Sequence, residues 1–129
     1  MTTGLHTANL ANKWLDMLGG TAFTAPASTY VKLHTGDPGA AATANASGTT
    51  TRQQITWSAA ASGSKSMSGT LSWSSWAAGT ETITHISIWD NSTAGNVLWT
   101  GALSSSKTVN NGDTLNITAL TAALTPLMA

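Results

Sequence analysis

The stretch Thr82-Ile83-Thr84-His85-Ile86-Ser87-Ile88-Trp89-Asp90-Asn91-Ser92-Thr93-Ala94-Gly95-Asn96-Val97-Leu98-Trp99-Thr100-Gly101-Ala102-Leu103 decides the fold class. Two runs rich in β-branched and aromatic residues enclose Asp90–Asn96, a row of turn formers that bond their own backbone or tolerate positive φ. The pattern predicts a β-hairpin. Strict alternation in the first run puts Ile83, His85, Ser87 and Trp89 on one face, so His85 is expected to be partly buried and bonded. The stretch holds a single carboxylate, Asp90, which sits in the turn. It is built for packing and contact, with little chemistry in it.

Upstream, residues 6–20 give the one helical pattern. Leu10, Trp14 and Leu18 recur every fourth residue with Met17 beside them, Thr7 is the better N-cap, and Gly19-Gly20 supplies a stop. A helix with so narrow a stripe has to lie on the β-domain or on a partner. From residue 29 to 127 the reading is β throughout. Thr29–Thr35 alternates and ends at the Gly36-Asp37-Pro38-Gly39 turn. Residues 36–51, almost wholly small and polar, are expected to form an exposed loop. Arg52–Ser58 resumes alternation, and Met67, Gly69, Leu71 and Trp73 share a face in one further strand. Lys107-Thr108-Val109 and Leu115-Asn116-Ile117 flank Asn110-Asn111-Gly112-Asp113, a second hairpin signal. Leu120, Leu124 and Leu127 suggest a last strand. The sequence thus predicts one domain over 1–129, an all-β β-sandwich or jelly-roll-like fold with one N-terminal α-helix.

The bulk composition narrows the function. Charged residues make up 8% of the chain and balance to zero, against about 25% in ordinary soluble domains. No basic patch grips phosphate, which argues against nucleic acid as a partner. No apolar run approaches the roughly 20 residues that span a bilayer, which argues against a membrane. The start Met1-Thr2-Thr3-Gly4 has no basic region and no apolar run behind it, so no signal peptide is expected. Cysteine is absent, which removes disulfides and thiolate metal sites. A neutral surface is safest when neighbours cover it, which points to an assembled homo-oligomer.

The search for chemistry ends in a negative expectation. His6, His34 and His85 match no metal spacing, and His34 and Asp37 straddle a turn. Of Asp16, Asp37, Glu81, Asp90 and Asp113, three fall in turns. No nucleophile elbow and no phosphate loop occurs. No catalytic, cofactor-binding or metal-ligating residue is assigned, and no enzyme is expected. Tryptophan remains. Trp57, Trp73, Trp89 and Trp99 fall on strands and read as core, whereas Trp14 on the helix and Trp76 in a loop are the interaction candidates.

Four segments in order carry a resemblance. They are Tyr30-Val31-Lys32-Leu33-His34-Thr35-Gly36-Asp37-Pro38-Gly39; Thr51-Arg52-Gln53 leading into Ile55-Thr56-Trp57; the hairpin from Thr82 to Leu103; and Lys107–Leu115. Together they resemble a family of small bacteriophage virion structural proteins, usually labelled tail-fibre or minor structural proteins. The resemblance implies a non-enzymatic β-rich virion component, made in the host bacterial cytoplasm, whose partners are other virion proteins. Because the chain has no shaft repeats, a capsid decoration or minor capsid role on the head, beside the major capsid protein, is the favoured expectation. The alternatives are a tail-fibre or minor tail protein, or a carbohydrate-binding adhesion module on a host surface glycan.

Overall fold

A computed structural model of the chain describes residues 3–124. Nine strands are formed among them: β1 Gly4–Leu5, β2 Thr29–His34, β3 Gln53–Trp57, β4 Ser64–Ser68, β5 Leu71–Trp73, β6 Glu81–Trp89, β7 Val97–Val109, β8 Leu115–Ile117 and β9 Thr121–Ala123. Seven make one curled antiparallel sheet in the order β1-β7-β6-β2-β3-β4-β9, and β5 and β8 make a separate two-stranded ribbon. The all-β class with an N-terminal helix is as the sequence predicts. The layers are unequal, with a large sheet curled around a small ribbon.

The hairpin of residues 82–103 is the spine of the sheet. Strands β6 and β7 pair from Trp89↔Val97 out to Glu81↔Val109, and β2 lines the other side of β6. Their turn is fastened by Asp90, whose carboxylate accepts hydrogen bonds from the Asn96 backbone N–H (2.7 Å) and side-chain amide (2.9 Å). Gly95 is required there: its φ is +73°, and a Cβ would collide with that same carboxylate.

Strict alternation along β6 does not hold. The register shifts between Ile83 and His85, and this change of phase sends Ile83, Ile86 and Ile88 all into the core. Ile83 is fully buried while His85 is half-buried on the other side, so the two do not share a surrounding. Burial of three isoleucines outweighs the local break in the ladder, because each contributes roughly 1.5–3 kcal/mol on leaving water.

The second hairpin signal also resolves differently. Asn110–Asp113 does turn, with the Asp113 N–H donating to the Asn110 carbonyl (3.0 Å) and Asp113 Oδ2 accepting from the Asn110 N–H (2.9 Å). Yet β8 does not pair back on β7. It crosses to β5 in the register Leu71↔Ile117 and Trp73↔Leu115. Pairing within the sheet would leave its inner face uncovered. Crossing over lets Leu71, Trp73, Leu115 and Ile117 close on Val31, Leu33, Ile55, Ile83 and Val109. The single strand expected over residues 67–73 is likewise two, broken at Gly69, whose φ is +81°. The last strand is realised as β9, paired with β4; Leu127 lies outside the described residues.

The segment over residues 36–51 is more firmly held than a bland loop suggests. It is exposed along most of its length, but Pro38, Ala42 and Ser47 are buried and it folds back over β2. The Thr35 N–H donates to the Asn45 carbonyl (2.8 Å) and the Ser47 N–H to the Leu33 carbonyl (3.1 Å). Glu81 anchors it from β6, accepting from the Ser47 hydroxyl (2.6 Å) and the Gly48 N–H (2.8 Å).

Truncation at Ile83 tests the phase shift. Ile83→Ala is expected to destabilise the protein by about 2–5 kcal/mol in urea unfolding, as buried Ile→Ala changes do. His85→Ala, on the other side of the strand, is expected to lose under about 1 kcal/mol. Equal losses would mean that the two residues share one surrounding after all.

Candidate interaction surface

The helical segment positions the first candidate. It begins at His6, whose Nδ1 accepts from the Asn9 N–H (3.1 Å) and so takes the capping role expected of Thr7. A wide turn spans Thr7–Ala11, an α-helical turn Asn12–Asp16 and a tight turn Met17–Gly19, closed by Gly20 with φ +87°. Asn9 ties the segment to the sheet by donating to the Val97 carbonyl (2.9 Å). Because the winding changes twice, the stripe of residues 10, 14 and 18 does not stay in line. Leu10 is buried and Trp14 half-buried, but Leu18 is 87% exposed, with Leu15 and Met17 exposed beside it.

Trp14 lines an apolar cavity of about 370 Å³ under the helix. The other principal walls are Leu10, Phe23, Trp57, Trp99 and Leu124. Trp57 and Trp99 pack on the core from the same side, so the cavity is the open end of the interior that the ribbon fills at the other end. Trp57 offers no polar handle to an occupant, since its Nε1–H donates to Thr29 Oγ1 (2.8 Å). An apolar group suits this space.

Trp76 is not a surface residue. It is 3% exposed and belongs to the core. The loop that carries it continues the ribbon: the Trp76 N–H donates to the Asp113 carbonyl (3.0 Å), and the Gly112 N–H donates to the Trp76 carbonyl (2.8 Å). Its indole N–H is satisfied by the Gly79 carbonyl at 3.0 Å. Periodicity cannot reveal this, because Trp76 is placed by loop-to-loop bonds rather than by a strand. A second cleft of about 370 Å³ runs past Thr49, Gln53, Ser72 and Ser74. The neighbouring Trp73 and Trp76 expose 3% each, too little for a sugar-stacking face.

The outer face of the sheet carries a cluster that sequence reading did not single out. The Arg52 guanidinium lies 3.9 Å from the Trp89 ring centre, and Lys32 Nζ lies 5.9 Å from it. Arg52 also donates to the Asn91 carbonyl (2.8 Å) and the Ala94 carbonyl (2.7 Å), pinning the β6–β7 turn. Burial, and then the Arg52 charge, hold the Lys32 amine below its usual range. Burial lowers Arg52 too, with Asp90 acting the other way. The sequence signal was present in Arg52 before β3 and Trp89 before the turn, but their meeting depends on strand order.

Beside it runs a buried polar chain. The Trp89 indole donates to Ser87 Oγ, the Ser87 hydroxyl faces His34 Nε2, and His34 Nδ1 faces the Ala44 carbonyl, at 2.8, 2.8 and 3.0 Å. A carbonyl can only accept, so the His34 proton sits on Nδ1 and Nε2 accepts from Ser87. Every group is satisfied with a neutral ring. Burial accordingly lowers the His34 pKa below 6.5, with the Ala44 carbonyl partly offsetting it. His85 bonds Thr84 Oγ1 at 2.8 Å. No group of three metal-capable side chains occurs among the described residues. Asp37, Glu81, Asp90 and Asp113 each accept from backbone amides of loops or turns. The histidines and these acids are fasteners.

Two measurements test these assignments. Arg52→Ala is expected to lower stability by about 1–2 kcal/mol in chemical unfolding, from two charge-assisted bonds and the ring contact. Arg52→Lys is expected to recover little, because an ammonium cannot reproduce the fork. For His34, the folded pKa lies below the unfolded one, so below pH 6.5 the unfolded chain takes up the proton more readily. Stability is therefore full above pH 6.5 and falls as pH drops through the folded pKa. The drop is expected to be smaller in His34→Gln, followed by thermal unfolding across pH 4–8.

Residues 6–125 match the family model of podophage GP4 fiber I protein gp80. That is nearly the whole chain, and the chain belongs to this family of phage fibre and structural proteins. It is a bacteriophage virion structural protein. No curated protein matches it.

Proposed function

We propose that this chain is a tail-fibre component, held in the particle by contacts with other virion proteins and with copies of itself, and that it catalyses no reaction. The observation that carries the proposal is the match to a fibre protein family over residues 6–125. The head decoration role suggested by the missing shaft repeats and the compact length has no comparable support, and the tail reading takes its place.

The distribution of polar chemistry supports a non-catalytic part. A catalytic site holds titratable groups in a cleft, near one another and near a place for substrate. Here Glu81 at the start of β6 and Asp90 and Asp113 in two separate turns stand apart, and their oxygens accept from backbone amides and, for Glu81, the Ser47 hydroxyl. His34 is committed on both nitrogens. Such side chains make loops rigid, and rigid loops suit a protein that has to keep its shape outside the cell. The apolar end at Trp14, Phe23 and Trp99 is the part of the molecule suited to contact.

Quantitative mass spectrometry of purified virions tests the location. A few copies per particle, lost together with the tail when heads and tails are separated, is the expected result. Hundreds of copies remaining with the head would restore the decoration role. Absence from purified particles would remove both.

A further inference from the structure

The N-terminal helix and the cavity beside it are complementary parts of one chain. Leu15, Met17 and Leu18 stand out from the helical segment with 64%, 48% and 87% of their surface exposed, the large apolar side chains that face water among the described residues. The Trp14 side of the same segment borders the cavity of about 370 Å³, whose walls include Phe23, Trp57, Trp99 and Leu124. At about 30 Å³ per water, that space holds on the order of a dozen waters against walls with few groups to bond them. A protruding apolar knob and an apolar hole thus occur together, and among the described residues the two are not joined.

The charges agree with the shapes. Asp16 sits between Leu15 and Met17, and its carboxylate makes no bond among the described residues. Among the described residues, Lys65 is the one charged residue lining the cavity, and its Nζ donates to the Ser58 carbonyl at 2.8 Å. Lys13, one turn before Asp16 on the same segment, is exposed as well, so the knob carries both signs of charge and Asp16 is its acidic group. With a net charge of zero, copies of this chain meet no general repulsion.

We propose that this chain self-associates by seating Leu15, Met17 and Leu18 of one copy in the cavity of a second copy, with Asp16 facing Lys65 at its rim. The occupant is a second copy because knob, hole and both charges lie on the same sequence. The contact serves a reciprocal pair or a closed ring equally. It rests on the contact between copies in the proposed function and names its surface; the tail position is tested separately by copy number in virions, so the two can fail apart.

The test uses the full purified chain in analytical ultracentrifugation across a range of concentrations. The parent is expected to associate reversibly. Leu18→Glu is expected to weaken association by about tenfold or more while leaving circular dichroism and unfolding unchanged, since the side chain is exposed. Asp16→Lys is expected to weaken it as well, and the double variant Asp16→Lys/Lys65→Glu to restore it. That rescue requires both charges to come from copies of this chain. A parent that stays monomeric at every concentration would overturn the proposal. So would an oligomer indifferent to both single changes. Association that appears only after residues 125–129 are deleted would show that the chain's own C-terminal residues take the cavity, which also overturns it.

Discussion

The structure depends on one constraint: a curled sheet has an inner face that must be filled, and this chain fills it from two ends by different means. At one end the β5–β8 ribbon closes over Val31, Leu33, Ile83 and Val109 with its own Leu71, Trp73, Leu115 and Ile117. At the other end the helix lays only Leu10 and Trp14 across the opening. The first end is closed by buried apolar side chains. The second keeps an apolar space, and an apolar space at a surface is stabilised when something covers it. The local departures of the fold follow from the same need. The phase shift in β6 and the diversion of β8 both give up regular pairing to put apolar side chains on the inner face.

The scarcity of charge shapes how the loops are held. With few ion pairs to draw on, the chain fixes its turns by hydrogen bonds from single, well-placed polar groups. Glu81 reaches across to Ser47 and Gly48, Asp90 closes the long turn, and Arg52, just before β3, caps the same turn from across β2. Charge-assisted bonds to backbone amides and carbonyls are among the stronger ones a surface can offer. Lys32 and Arg52 face each other across β2 and β3, an arrangement that is unfavourable for like charges. The Trp89 ring between them offsets that repulsion.

Much of the fold was legible because period-two alternation and turn chemistry are local. The 82–103 hairpin, β2 with its Gly36–Gly39 turn, and the helical segment could be read residue by residue. The misreadings share one cause. Trp76 does lie in a loop, but its burial is invisible in the sequence because its partners, Gly112 and Asp113, are distant along the chain. Alternation puts Ile83 and His85 on one face, and the register shift that separates them leaves no mark in composition. The stripe through Leu18 assumed one helical period where the winding changes twice. The cluster of Arg52, Lys32 and Trp89 needed the strand order β6-β2-β3, which no single stretch encodes. Of the two candidate contact residues, Trp14 lies half-buried at the apolar cavity and Trp76 lies in the core.

Membership of a fibre family and a loosely closed apolar end belong to one physical argument. A small neutral domain gains little from charge when it assembles, so its contacts have to come from apolar area and shape. Apolar area is a hazard on a free monomer, because it invites contact with anything else that is apolar. Concentrating it at one end, beside a helix whose exposed leucines match it in character, restricts that hazard to a single geometry. Apart from the Arg52–Lys32–Trp89 cluster, much of the remaining described surface is Thr, Ser, Asn and Gly, which offers a wrong partner little to grip. In a particle built from repeated copies, a modest contact of this kind gains strength from being made many times at once.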